Sequence, residues 1–148
     1  MSYITVRKGE LKDVDEIALL ETKCFKDPWT PQSIRDEIEK NDFAMYIVGE
    51  LDGKVVGYVG VWYIVDEAHI TNVAVDPDYR RRHIGETLIN SLIDHSEKNG
   101  INSFTLEVRA SNTPAQKLYE KFNFKEMGVR PRYYNDNEDA IIMWRVEE

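Results

Sequence analysis

The sequence predicts an α/β (α+β) fold built on a mixed central sheet, in the order βααβββαβαββ with helices on both faces. Two observations lead to it. Residues 43–51 and 55–65 are apolar runs joined by Asp52-Gly53, a pair that readily takes positive φ and so predicts an antiparallel hairpin. Residues 68–75, a helical pattern and residues 104–108 then follow in strand, crossover helix, strand order, which allows a parallel right-handed βαβ unit.

Residues 3–8 are predicted as an edge strand, and residues 11–22 carry Leu11, Val14, Ile17 and Ala18 at helical spacing. A second short helix starts at Thr30-Pro31, with threonine as cap, proline in the first turn, and Ile34 and Ile38 on the buried side. Asp76-Pro77 breaks the third strand. The next helix places Ile84, Leu88 and Leu92 on one stripe with Ile89 and Ile93 beside it, and Asn99-Gly100 closes it. Thr113-Pro114-Ala115-Gln116 reads as a capping threonine, a first-turn proline and a reciprocal glutamine, opening a helix with Leu118 and Phe122 inside. Residues 125–130 and 140–146 are two last strands that form a hairpin across a long loop.

The bulk properties narrow the function. A chain of 148 residues fits one domain, 1–148, with 42% hydrophobic and 31% charged residues, the balance of an ordinary globular protein. Apolar stretches fall short of a bilayer span, and the first residues lack the pattern of a signal peptide, so a cytoplasmic protein without membrane contact is expected. The single cysteine, Cys24, excludes an intrachain disulfide and a cysteine-based metal cluster. His69, His83 and His95 lack metal-ligand spacing, so no metal is expected. A net charge of −8 argues against direct nucleic-acid binding, an affinity carried by Lys and Arg, and suits a cationic substrate better.

Positive charge gathers in one place. Tyr79-Arg80-Arg81-Arg82-His83-Ile84-Gly85, with Glu86 behind it, runs from a strand into a helix. A helix start presents unpaired N–H groups and partial positive charge, and so suits an anion; a basic surface turn with a helix-starting glycine is the plain alternative.

This segment resembles motif A of the GNAT acetyltransferases, Arg/Gln-x-x-Gly-x-Gly/Ala, with Arg80 first and Gly85 last. His83 stands where that family usually has its first glycine, and a non-glycine residue tolerates positive φ poorly. The likeness continues through Asn72-Val73-Ala74-Val75, Leu106-Glu107-Val108-Arg109, Ser111-Asn112 with Ala115, Leu118-Tyr119, and Glu138-Asp139-Ala140 with Met143, which together resemble the RimI-type ribosomal-protein alanine N-acetyltransferases.

The resemblance implies acetyl-CoA as cosubstrate and the N-terminal peptide of a protein, an alanine-start ribosomal one, as acceptor. It implies that residues 80–86 hold the pyrophosphate, that the edge of Val73, Ala74 and Val75 binds the pantetheine arm and supplies an oxyanion donor near Val75, and that Asn112 hydrogen-bonds coenzyme A. It makes Glu107 the general base and Tyr119 the general acid that protonates the thiolate, and so also a cofactor contact. Phe25, Pro28 and Trp29 on one side and Tyr133 and Tyr134 on the other resemble the walls that grip the acceptor peptide, with Glu138 and Asp139 near its charged end. Each residue keeps a plainer reading: Glu107 as a surface carboxylate paired with Arg109 or Arg80, Tyr119 as a packed helix residue, Asn112 as a turn or helix-entry residue, the aromatics as half-buried loop residues. Cys24 as an acyl-accepting nucleophile has no nearby base to support it. A lysine, polyamine or small-molecule amine as acceptor, and a non-catalytic acyl-CoA-binding module, are the alternative functions.

Overall fold

The computed structural model describes residues 4–80 and 82–146, so Tyr3 and Arg81 lie outside the described residues. The elements are β1 (Thr5–Lys8), α1 (Val14–Cys24), α2 (Pro31–Lys40), β2 (Ala44–Leu51), β3 (Lys54–Ile64), β4 (Glu67–Val75), α3 (Ile84–Lys98), β5 (Ser103–Arg109), α4 (Thr113–Glu120), β6 (Lys125–Arg130) and β7 (Ala140–Val146). They follow the expected βααβββαβαββ order. Seven strands form one mixed sheet in the spatial order β1-β2-β3-β4-β5-β7-β6, in which only β4 and β5 run parallel.

The sheet separates two apolar cores. On one face Ile84, Leu88, Ile89, Leu92 and Ile93 of α3 and Tyr119 of α4 pack on Val59, Ala68, Ile70, Phe104, Leu106 and Met143. On the other, Val14, Ile17 and Ala18 of α1 and Ile34 of α2 cover Tyr46, Val48, Tyr58 and Ala74. These helix stripes are the ones the sequence spacing predicts, because residues three and four apart share a helix face.

Three local expectations change. Residues Leu11–Asp13 form a separate 3-10 turn before α1, in which Asp13 accepts the Glu10 N–H and a two-pronged bond from Arg7. Asn112, not Thr113, caps α4 through Oδ1 and the Ala115 N–H at 3.2 Å, while the Gln116 amide turns to the carbonyls of Arg109 and Ala110. The asparagine reaches this N–H first because the chain enters the helix one residue earlier than the threonine motif implies. Finally, Tyr119 rather than Leu118 is the buried residue of α4, its ring 5.8 Å from that of Phe124, and Phe122 lies beyond the helix end and is half-buried.

The feature that shapes the functional region is an irregularity in β4. Gly60 pairs with Asn72 but Val61 pairs with Ile70, so Thr71 is an extra residue that bulges the strand. A Cβ at Gly60 would lie 2.8 Å from Thr71 Oγ1 and 3.1 Å from the Tyr46 ring, which is why glycine faces the bulge. On its other side β4 pairs with β5 only from Glu67–Ser103 to Ile70–Leu106, although the strands continue to Val75 and Arg109. Beyond that last rung the two strands fork.

Candidate active site

The fork exposes main chain. Asp76 N–H donates to the Val56 carbonyl of β3 at 2.8 Å, so strand alternation turns the N–H and C=O of Val75 and Val73 toward the open side. Their side chains pack toward α3, whereas Ala74 faces α1. The Cys24 thiol donates to the Val75 carbonyl at 3.4 Å, and burial raises its pKa despite the nearby Arg80 guanidinium. A thiol held this way is disfavoured as a thiolate nucleophile.

The basic loop leaves the tip of β4 through Asp76, whose buried carboxylate accepts the Asp78 N–H at 3.0 Å and takes Lys23 at 3.1 Å. The guanidinium of Arg82 lies over the Tyr79 ring at 5.2 Å. His83 is the N-cap of α3 and adopts left-handed backbone angles, φ 61° and ψ 22°. The position therefore has the conformation that glycine favours, and histidine supplies it at a cost. Among the described residues no side-chain cap is made at His83, and the first N–H groups, those of Ile84, Gly85 and Glu86, have no partner within the helix. A Cβ on Gly85 would come within 3.3 Å of Leu118, so this glycine also lets α3 and α4 approach closely.

Glu107 is the first residue of β5 past the last rung. Its carboxylate accepts the Tyr133 hydroxyl at 3.4 Å and lies 3.5 Å from Arg130, not beside Arg109 or Arg80. Arg109 instead serves the β6–β7 loop: it pairs with Asp136 and Glu138, each at 2.9 Å, and stacks 4.1 Å from the Tyr134 ring centre. Glu138 also accepts the Ser111 N–H, and Asp139 accepts that of Arg132, so both carboxylates hold the loop. Tyr133 and Tyr134 meet edge to face at 5.1 Å. Burial pushes the Tyr134 phenol up to about 12, and Tyr119 is raised further by burial with a contribution from Tyr134. Contacts thus run from Glu107 through Tyr133 to Tyr134.

Of the opposite wall, Phe25 and Trp29 are half-buried against α1 and α2 while Pro28 is exposed. The walls touch across the opening, where Lys26 meets Asp136 at 3.1 Å. Sequence reasoning missed this pair, as it missed Arg130 and Glu21, a carboxylate buried under the Trp29 loop. Glu21 alone left a trace, since it continues the apolar stripe of Val14, Ile17 and Ala18 at i+7.

A forked parallel strand pair beside a cationic helix start offers free main-chain groups to an extended amide arm and helix N–H groups to an anion such as a diphosphate. The chain belongs to the acetyltransferase (GNAT) family, whose model matches residues 14–124 and whose acetyl donor is acetyl-CoA. It is 36% identical over 144 residues to the ribosomal protein bS18-alanine N-acetyltransferase of Escherichia coli (strain K12), covering 94% of this chain and 95% of that one. A Bacillus subtilis (strain 168) protein provisionally given the same name is 44% identical over 140 residues, with 94% and 93% covered. The crystal structure of the ribosomal-protein-S18-alanine N-acetyltransferase from Escherichia coli superimposes with a TM-score of 0.90 at 34% identity, over 97% of this chain and 94% of that chain. Among the described residues no helix is long and apolar enough to cross a membrane.

Proposed function

We propose that residues 1–148 work as one domain that moves the acetyl group of acetyl-CoA to the N-terminal α-amine of a protein, an alanine-start ribosomal protein, by direct attack in a ternary complex. The observation that carries this reading is the fork after Ile70–Leu106, with Glu107 at its mouth on one strand and the outward main chain of Val73 and Val75 on the other. The relatives' names support the acceptor class.

In this reading the N–H groups of Ile84, Gly85 and Glu86, with Arg80, Arg81 and Arg82, receive the diphosphate, and His83 sets the angle at which the helix presents them. Val73 and Val75 hold the pantetheine arm as an added strand would be held. Asn112, engaged as a cap through Oδ1, contributes from its amide. Phe25, Pro28 and Trp29 face Tyr133 and Tyr134 across the acceptor.

An α-amine of pKa about 7.7–8.0 costs about 1 kcal/mol to deprotonate at pH 7, against about 4–5 for a lysine, so a modest base suffices. Glu107 takes the amine proton, directly or through a water, as the nitrogen bonds to the carbonyl carbon. The outward N–H of Val75 stabilises the oxygen that gains charge. As the C–S bond breaks, the Tyr119 phenol, which burial keeps protonated, donates a hydrogen bond to the departing sulfur as it gains charge; the sulfur leaves as the thiolate of coenzyme A, which takes up its proton from water.

The test is turnover of Ala-start peptides against free lysine, polyamines and drug amines, with acetyl-CoA present. Preference for the peptides is expected. Preference for a small amine would overturn the reading.

A further inference from the structure

The structure contains a buried carboxylate that the chemistry above does not use. Glu21, in the last turns of α1, is 1% exposed and forms no salt bridge among the described residues. Its Oε1 accepts the Trp29 N–H at 2.8 Å; its Oε2 accepts the Tyr58 hydroxyl and the Asn72 amide, the latter at 3.2 Å. Burial raises its pKa. Taking an unpaired carboxylate out of water is costly unless its acceptor sites are filled, and here three donors from three different segments fill them.

Those segments are the ones that must keep register in a two-substrate site. Trp29 belongs to the acceptor-side loop. Asn72 directly follows the bulge in β4 and precedes Val73, and Tyr58 pairs with Ala74 on the neighbouring strand. We propose that Glu21 is a positioning residue that fixes the acceptor loop against the donor edge of β4. This rests on the acetyl-transfer reading.

Its loss acts unequally on the two sides. β4 is also held by its ladder to β3, from Asn72–Gly60 to Val75–Gly57, so the donor edge stays in place without Glu21. The loop at Trp29 has no ladder, and the carboxylate is the acceptor of the Trp29 N–H. The acceptor side therefore loosens first.

The experiment is steady-state kinetics with both substrates varied, on wild type, Glu21→Met and Glu21→Gln, with thermal unfolding as a check on folding. Methionine keeps the volume and removes every acceptor. KM for the peptide is expected to rise about tenfold while KM for acetyl-CoA stays within about twofold. Glutamine keeps one acceptor for Trp29, since the Tyr58 hydroxyl and Asn72 amide can reorient toward its NH2, and is expected to return the peptide KM to within about threefold of wild type. If the methionine variant fails to fold, Glu21→Asp, which keeps the charge but draws it one methylene back from Trp29, takes its place with the same expectation. An unchanged peptide KM, or equal rises in both KM values, overturns the proposal. Wild-type substrate preference judges the acetyl-transfer reading separately, because the variant ratios are read with whichever amine the wild type accepts.

Discussion

Replacing His83 isolates the backbone demand of the loop that opens α3. The residue sits at φ 61° with its side chain 78% exposed, and its ring contact with Glu86 is 3.3 Å long. Left-handed backbone costs a residue with a Cβ about 1–2 kcal/mol, toward the low end for histidine and the high end for a β-branched residue. Glycine removes that strain but returns about 0.5–1 kcal/mol through the entropy of the unfolded chain. The exposed contact with Glu86 adds at most a few tenths of a kcal/mol. His83→Gly should therefore be equal to wild type or up to about 1 kcal/mol more stable, and His83→Val about 1 kcal/mol less stable. For a chain of this size the two variants should melt about 2–8 °C apart, in the order glycine, histidine, valine. Calorimetric titration with coenzyme A should follow the same order, since the angle at residue 83 aims the first N–H groups of α3. Equal melting temperatures for the glycine and valine variants would refute the strained-loop argument.

Other outcomes follow from the same geometry. Glu107→Gln should lower kcat for an Ala-start peptide about 100-fold while acetyl-CoA binding, measured by calorimetry, is kept. Tyr119→Phe keeps the ring against Phe124, so thermal stability should change by less than about 1 kcal/mol while kcat falls about tenfold or more. Gly60→Val places a branched side chain where even a Cβ is 2.8 Å from Thr71 Oγ1, and should cost about 2–3 kcal/mol in denaturant unfolding. Arg7, ahead of the Glu10 N–H, holds the Asp13 carboxyl below the usual carboxylate range. Its contribution is thus complete above the unfolded pKa of about 3.9 and is lost as pH falls through the lower folded value. Asp13→Asn should lower stability at pH 7 by about 2–3 kcal/mol, and the difference from wild type should shrink in acid.

The fold was legible wherever a periodic pattern met a terminator. The α3 stripe ends at Asn99-Gly100, and Asp52-Gly53 turns β2 into β3, both with positive φ at the glycine. Spacing does not encode which of two adjacent capping residues is used, so Asn112 displaced Thr113. Nor does it encode inward direction on a short helix, where Tyr119 took the place given to Leu118. The bulge at Thr71 was not legible: it moves the α3-facing positions from Ala68 and Ile70 to Val73 and Val75, and the shift is hidden because Ala74 is apolar too and fills the core on the other face. Glu107, Tyr119 and the loop at residues 80–86 were visible through resemblance, while Lys26–Asp136 joins residues that only the folded chain brings together. Glu21 was visible in principle as a carboxylate on an apolar stripe.

The position of β7 has a consequence for how the molecule is made. This strand follows every other described element in the chain, yet it lies between β5 and β6, which do not touch each other in the sheet. A ribosome that has released the chain only to Arg130 leaves β5 with a bare edge and β6 without a partner. Tyr133, Tyr134 and the carboxylates that fasten their loop are then still unplaced. Halting or truncating synthesis before Ala140 should therefore yield an aggregation-prone intermediate with no working site, rather than a smaller enzyme of reduced activity.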